Sequence, residues 1–363
     1  MSRWTTYLPP LSLVALVVAW AAHPEGPVAV AVVAVFLVGA VLAAVHHAEV
    51  VAHRVGDPLG SLVLAVAVTV IEVALIVTLM VGGAKDASTL ARDTVFAAVM
   101  LTLNGIVGLS LLVGALKHHL AVFNPEGTGS ALATVVTLAG LTLVLPTFTV
   151  SNPGPSFTPG QLTFAAVVSL ALYLVFVFTQ TVRHRDFFLA PDTGEEAGDE
   201  TGDDAHGAEL PTTRETWTSL ALLGCALVGV VGLAKVESHP LEKAVANAGL
   251  PHAFVGVVIA TLVLLPEGIS AVRAAAQDRV QVSFNLAYGS AIASIGLTIP
   301  AIAVAKIWLD GPLTLGLAPT QLVLLFLSAV VGTLTVVPGR SKPLQGALHL
   351  VLLATFVAVS IQP

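Results

Sequence analysis

Two carboxylates lie well inside long apolar stretches, Glu72 in LAVAVTVIEVALIVTLM and Glu267 in GVVIATLVLLPEGIS. A carboxylate in hydrocarbon costs at least about 2.5–3.5 kcal/mol on insertion scales, so one that persists there usually holds an ion, a proton or a partner. Two of them point to one shared cation site. Desolvation favours the neutral acid, whereas a bound cation favours the anion, so cation and proton compete for the same oxygens. That competition is sufficient for exchange: with two carboxylates, a divalent cation balances two protons.

Further oxygen donors stand on the same or the following segments: Thr69, Asn104, Asn285, Ser290 and Ser294. Ser and Thr also bond their own helix backbone in membranes. Asn104 and Ser290 are favoured because each sits beside a glycine. His46, Glu49 and His53 follow an i, i+3, i+7 spacing that puts them on one helical face, with His47 adjacent. Histidine titrates near neutral pH, so this face reads as a proton funnel or pH sensor. The alternatives are a transition-metal site, or ordinary interfacial polar residues at a helix end, as for His118 and His119.

The elements that must position these groups are membrane spans. Of 363 residues 56% are hydrophobic and 10% charged, against about 25% charged in soluble domains. The apolar stretches have helix-span length rather than the short alternating pattern of barrel strands. The chain therefore reads as an all-α polytopic membrane protein with about eleven transmembrane helices. The expected spans are 8–22, 27–50, 58–82, 93–116, 129–150, 160–183, 216–234, 252–272, 282–306, 314–337 and 342–361. Turn-forming breaks such as HPEGP, FNPEG and PGRSKP separate them. The first 22 residues resemble a signal peptide, but another apolar span follows closely, so an uncleaved first helix is expected.

Ten Lys and Arg residues fall on the N-terminal side of the bundle and five on the other, which orients the N-terminus to the cytoplasm of a multi-pass plasma-membrane protein. The single cysteine, Cys225, excludes a disulfide framework or cysteine metal cluster. Eight of the 22 acidic residues lie between Asp192 and Glu209, within a Gly-rich 184–215 segment expected to be a flexible cytoplasmic loop.

The two halves repeat. AEVVAHRVGDPLGSLVLAVAVTVIEV (48–73) matches LEKAVANAGLPHAFVGVVIATLVLLPEG (241–268) through Glu49 and Glu242, a Gly-x-Pro, then Gly60 and Gly256, then Glu72 and Glu267. Arg92-Asp93 and Asp278-Arg279 open the following segments, and equal counting leads to Asn104 and Ser290. The pairing makes Glu49 and Glu242 candidates for a gate or secondary proton site, with His46 and His53. The expected organisation is a first helix (1–26), five-helix repeat A (27–183), the acidic loop (184–215) and five-helix repeat B (216–363). Five spans per unit force opposite orientations, and inverted repeats place a substrate site near the midplane, where broken helices offer ligands. Breaks are expected at Pro266-Glu267-Gly268, Asn104-Gly105 and Gly289-Ser290.

The segments TVIEVALIVTLM, DTVFAAVMLTLNGIVGLSLLVGALKHH and LLPEGISAVRAAAQDRVQVSFNLAYGSAIASIGLTIP resemble the two α-repeats of the calcium/cation antiporter superfamily, in particular the bacterial ChaA-type cation/proton antiporters. The resemblance spans essentially the whole chain and implies that Glu72 and Glu267 bind the ion. One departure stands out. Many calcium exchangers carry Gly-Asn-x-x-Glu in each repeat, whereas Thr69 and Leu264 stand here in the asparagine positions. The metal-ligand candidates are thus Glu72, Glu267, Asn104, Ser290 and Thr69.

The function expected is a secondary antiporter exporting cytoplasmic calcium for protons by alternating access. The alternatives are sodium/proton or potassium/proton exchange, or a sodium-driven calcium exchanger. No P-loop, HExxH or nucleophile-base motif is present, so neither an enzyme nor a resident cofactor is expected. The expected partners are inorganic cations, protons and the lipid bilayer, with no nucleic acid. The sequence leaves the oligomeric state open.

Overall fold

A computed structural model of the chain describes residues 3–22, 26–56, 59–81, 87–190, 211–308 and 311–362. Among them, thirteen α-helices account for nearly all regular structure. They are α1 (Arg3–Ala22), α2 (Pro27–Val55), α3 (Leu59–Val81), α4 (Ala87–Met100), α5 (Val107–His118), α6 (Pro125–Ala139), α7 (Leu145–Phe148), α8 (Pro159–Phe178), α9 (Thr213–Asn247), α10 (Phe254–Ala276), α11 (Val280–Ala305), α12 (Pro319–Val336) and α13 (Pro343–Ile361). A π turn at Leu101–Ile106 joins α4 to α5, and others lie at Gly140–Val144 and Thr179–Arg183. A short antiparallel pair, β1 (Ala121–Val122) and β2 (Arg340–Ser341), ties the loops before α6 and α13.

Among the described residues ten helices are long and apolar enough to cross a membrane. The eleventh expected span is α3, which carries a shorter apolar stretch, Val66–Thr78. The chain is a polytopic all-α membrane protein. Its helix starts follow local chemistry. Thr158 caps α8 and Thr212 caps α9, each reciprocated by the residue three along, Gln161 and Glu215, while Asn124 caps α6 ahead of Pro125.

The structure corrects two expectations. α9 does not end near 234 but continues through Pro240 to Asn247. This extension buries Glu237, which is 6% exposed and has Oε1 without a hydrogen-bond partner, so a further carboxylate lies inside the bundle. The helices expected to break are not broken: α10 runs through Pro266-Glu267-Gly268 and α11 through Gly289-Ser290. Only Asn104-Gly105 departs from α-helix, within the π turn. The acidic residues 192–209 lie outside the described residues.

The largest apolar core gathers α4 and its π turn, α5, α6, α10 and α11, and a second joins α2, α3, α9 and α10. α1 packs along α9 and α2. The outer helices turn large apolar side chains outward, among them Phe164 and Phe178 of α8, Phe326 of α12 and Val351 of α13. Lipid is as apolar as a protein core, so such faces incur no penalty there.

Candidate cation site

α3 and α10 bring the two predicted carboxylates to one cavity of about 400 Å³, walled also by α8 and α11. Glu72 is 3% exposed at the middle of α3. The Ser294 hydroxyl of α11 donates to it, with Oγ 2.8 Å from Oε1 and 3.0 Å from Oε2. One turn further along α11, the fully buried Thr298 faces the same carboxylate.

Glu267 follows Pro266, whose ring nitrogen has no proton to give to the Leu262 carbonyl. Its Oε2 is removed from solvent and has no hydrogen-bond partner. Both Glu72 and Glu49 lie within electrostatic reach of it. A buried acceptor left without a donor costs about 1–3 kcal/mol or more, a cost that a bound cation or a proton removes.

Thr69 and Ser290 line the same cavity, as the sequence led us to expect. Asn104 does not. A π turn adds a residue to the helical turn and so shifts the face that follows it. The equal count that paired Asn104 with Ser290 matched sequence positions only, and the π turn gives Asn104 a different phase from Ser290 in the unbroken α11. Its carboxamide instead bonds Ser328 of α12, with Nδ2 2.8 Å from Oγ. Asn285 reaches the cavity, but its amide is committed: Nδ2 donates to the Phe188 carbonyl at 2.7 Å, and Oδ1 accepts from Gln281 at 2.9 Å.

Two cavity groups carry no signal in the sequence. Tyr173 of α8 is 2% exposed, and its hydroxyl has no partner. Gln180 lies in the π turn that ends α8. Both come from a helix without a repeat landmark, so only the packing of α8 on α11 reveals them. Gly296 makes that packing possible, because a Cβ there would sit 2.7 Å from Tyr173 Cβ.

The predicted proton-handling residues divide. Glu49 lies within electrostatic reach of Glu267 and, along its own helix, of His53. His46 stands apart, ring to ring with His47 at 5.5 Å, and His47 bonds the Thr5 carbonyl at 2.9 Å. Glu242 pairs with His252 at 3.6 Å. Among the described residues no group of three or more His, Cys, Asp or Glu side chains is placed to hold a metal ion.

Four carboxylate oxygens with the hydroxyls of Thr69, Ser290 and Tyr173 make seven oxygen donors around the cavity, within the 6–8 that calcium takes.

Comparisons with known proteins give the family and the fold. The family model described as sodium/calcium exchanger protein matches residues 26–182 and 218–362. The chain is 48% identical to y4hA of Sinorhizobium fredii, known by name only as an ionic transporter, over 90% of this chain and 87% of that one. It is 34% identical to the sodium-potassium/proton antiporter ChaA of Escherichia coli, over 96% of this chain and 93% of the relative. Among solved structures, native YfkE superposes with a TM-score of 0.70 at 18% identity over 99% of each chain. The H+/Ca2+ exchanger CAX superposes with a TM-score of 0.70 at 15% identity, over 98% of this chain and 87% of that one. At such identities the structural likeness speaks for the fold alone.

Proposed function

The chain belongs to the sodium/calcium exchanger protein family, a family of secondary transporters and not of enzymes, and from that premise we propose that it exports cytoplasmic calcium in exchange for protons at Glu72 and Glu267. That it is a cation/proton antiporter rests on the family and on its ChaA relative. The observation that carries the choice of site is the meeting of the two carboxylates in one cavity, one of them with an unpartnered oxygen.

Two carboxylates can release two protons as one divalent ion enters and take them back as it leaves. The cavity runs from Glu72 and Glu267 toward Gln180, Val282 and Asn285, at the end of the bundle where α8 finishes and α11 begins. Arg183, Arg185, Arg273 and Arg279 cluster near that end, which the distribution of basic residues assigns to the cytoplasm. Calcium entering there would displace protons. Rocking of one half against the other would then present the site to the opposite face.

A second reading, sodium or potassium for protons, is favoured by two observations. Asn104 is turned away from the site, which removes an oxygen a calcium shell would use. The ChaA relative is named for sodium and potassium.

Everted vesicles carrying a respiratory proton gradient test both readings. Calcium, sodium and potassium are added separately and collapse of the gradient is followed. Calcium-driven collapse supports the first reading, and collapse by sodium or potassium alone the second. Failure of all three, or full exchange by both Glu72→Gln and Glu267→Gln, overturns the site.

A further inference from the structure

Asn104, turned away from the cavity, joins a polar cluster buried between the π turn, α12 and α13. Its Oδ1 lies 3.3 Å from Nδ1 of His349 on α13, whose Nε2 lies 3.2 Å from Thr335 Oγ1 on α12. Ser328, which accepts from Asn104 Nδ2 at 2.8 Å, passes its own proton to the Leu324 carbonyl at 2.8 Å. None of the four side chains is more than 2% exposed.

The proton positions follow from this order. Because Ser328 has committed its proton to Leu324, it accepts from the Asn104 amide nitrogen, which leaves Oδ1 facing the ring. Oδ1 can only accept, so His349 Nδ1 carries the proton and Nε2 accepts from the Thr335 hydroxyl. A neutral imidazole is fully satisfied here, whereas an aliphatic side chain of similar size would leave Asn104 Oδ1 without its donor.

The cluster sits on one side of the π turn and the cation site on the other. The Leu103 carbonyl of the turn faces the His349 ring, and a Cβ on Gly108, at the start of α5, would meet His349 Cβ at 2.9 Å, so α13 rests on the backbone of the turn and of the helix that follows it. On the opposite side, Ile106 of the same turn would lie 3.6 Å from a Cβ on Gly268, the residue after Glu267. Glu267 Oε2 has no hydrogen bond to fix it. Its place depends on the backbone behind it.

We propose that His349 is a positioning residue for cation exchange: through Asn104 it holds the π turn against α10 and so sets where Glu267 presents its carboxylate. The inference rests on the reading that Glu267 binds the cation.

The test compares His349→Leu with His349→Gln in the full-length chain. Gln can offer a donor and an acceptor to Asn104 and Thr335, whereas Leu only fills the space. Calcium, with sodium in parallel, is titrated against the thermal stability of the purified protein and against exchange in vesicles. For His349→Leu the half-maximal cation concentration should rise about tenfold in both assays while the maximal rate stays within about twofold, the size expected for one lost buried hydrogen bond. His349→Gln should recover most of that loss. If Leu and Gln behave alike, or Leu matches the wild type, His349 is packing only and the proposal is overturned. Should His349→Leu fail to fold, Thr335→Val, which removes the donor to Nε2, must raise the same concentration, and a wild-type value there overturns it equally. A wild type that neither binds nor exchanges either cation defeats the site reading first and this inference with it. An active wild type with unaffected variants defeats this inference alone.

Discussion

The Ser294 hydroxyl lies 2.8 Å from Oε1 and 3.0 Å from Oε2 of Glu72, joining α11 to α3 at the floor of the cavity. A hydrogen bond given to a carboxylate favours its ionised form. If Glu72 binds the cation as proposed, Ser294 helps it to hold the cation rather than a proton.

Ser294→Ala should shift that balance toward the proton. At subsaturating cation the exchange rate should fall, by about tenfold if the charge-assisted bond has its usual strength. The deficit should be largest at the acid end of the active range and should shrink as protons become scarce. Ser294→Thr, which keeps the hydroxyl, should lose less. Initial rates in everted vesicles at several pH values measure this, and an Ala variant with an unaltered pH profile would count against a role for Ser294 in the competition.

The pH dependence of cation affinity distinguishes calcium from a monovalent ion. Where both carboxylates bind protons in the empty state, each unit rise in pH should lower the half-saturating concentration roughly a hundredfold for a cation that displaces two protons. For one that displaces a single proton the fall should be roughly tenfold. The sign is fixed, because removing protons removes the competitor. Titrations of calcium, sodium and potassium at three pH values give the slopes, and an affinity that does not improve with pH would sink proton competition altogether.

The carboxylates and the spans were legible in the sequence because hydrocarbon makes charge expensive and helix length is set by membrane thickness. Thr69 and Ser290 were legible because they share helices or repeat positions with the glutamates. Asn104 was misplaced, since a π turn changes helical phase without an unambiguous residue signature. Tyr173 and Gln180 stayed hidden because their contribution depends on how α8 packs against α11. Glu237 escaped because Pro240 reads as a helix end, whereas α9 continues past it, which is possible where neighbouring helices satisfy the freed backbone.

Gly256, one of the repeat landmarks, marks the closest backbone approach of α10 to α4. A Cβ there would lie 2.8 Å from Thr94 N and 2.9 Å from the Asp93 carbonyl carbon. Both atoms are backbone and cannot rotate away, so Gly256→Ala must separate the helices. Overpacking of this kind costs about 1–3 kcal/mol, and the melting temperature in detergent should fall accordingly. A variant as stable as the wild type would mean that the crossing is looser than the structure has it.

Gly296 tests whether the wall opposite the glutamates matters for exchange. An added Cβ would lie 2.7 Å from Tyr173 Cβ and 3.4 Å from the Ser169 carbonyl oxygen, so α8 as a whole must yield. Tyr173 carries the unpartnered hydroxyl of the cavity wall. Gly296→Ala should displace that hydroxyl from the site, and Tyr173→Phe should remove it without moving the helix. If the hydroxyl assists the cation, both variants should raise the half-saturating concentration by about fivefold to tenfold, as for one lost hydrogen bond. The double variant should then be little worse than either alone, because both remove the same interaction. Additive losses would show that Gly296 acts on packing and Tyr173 separately, and wild-type exchange by Tyr173→Phe would remove the hydroxyl from the coordination shell.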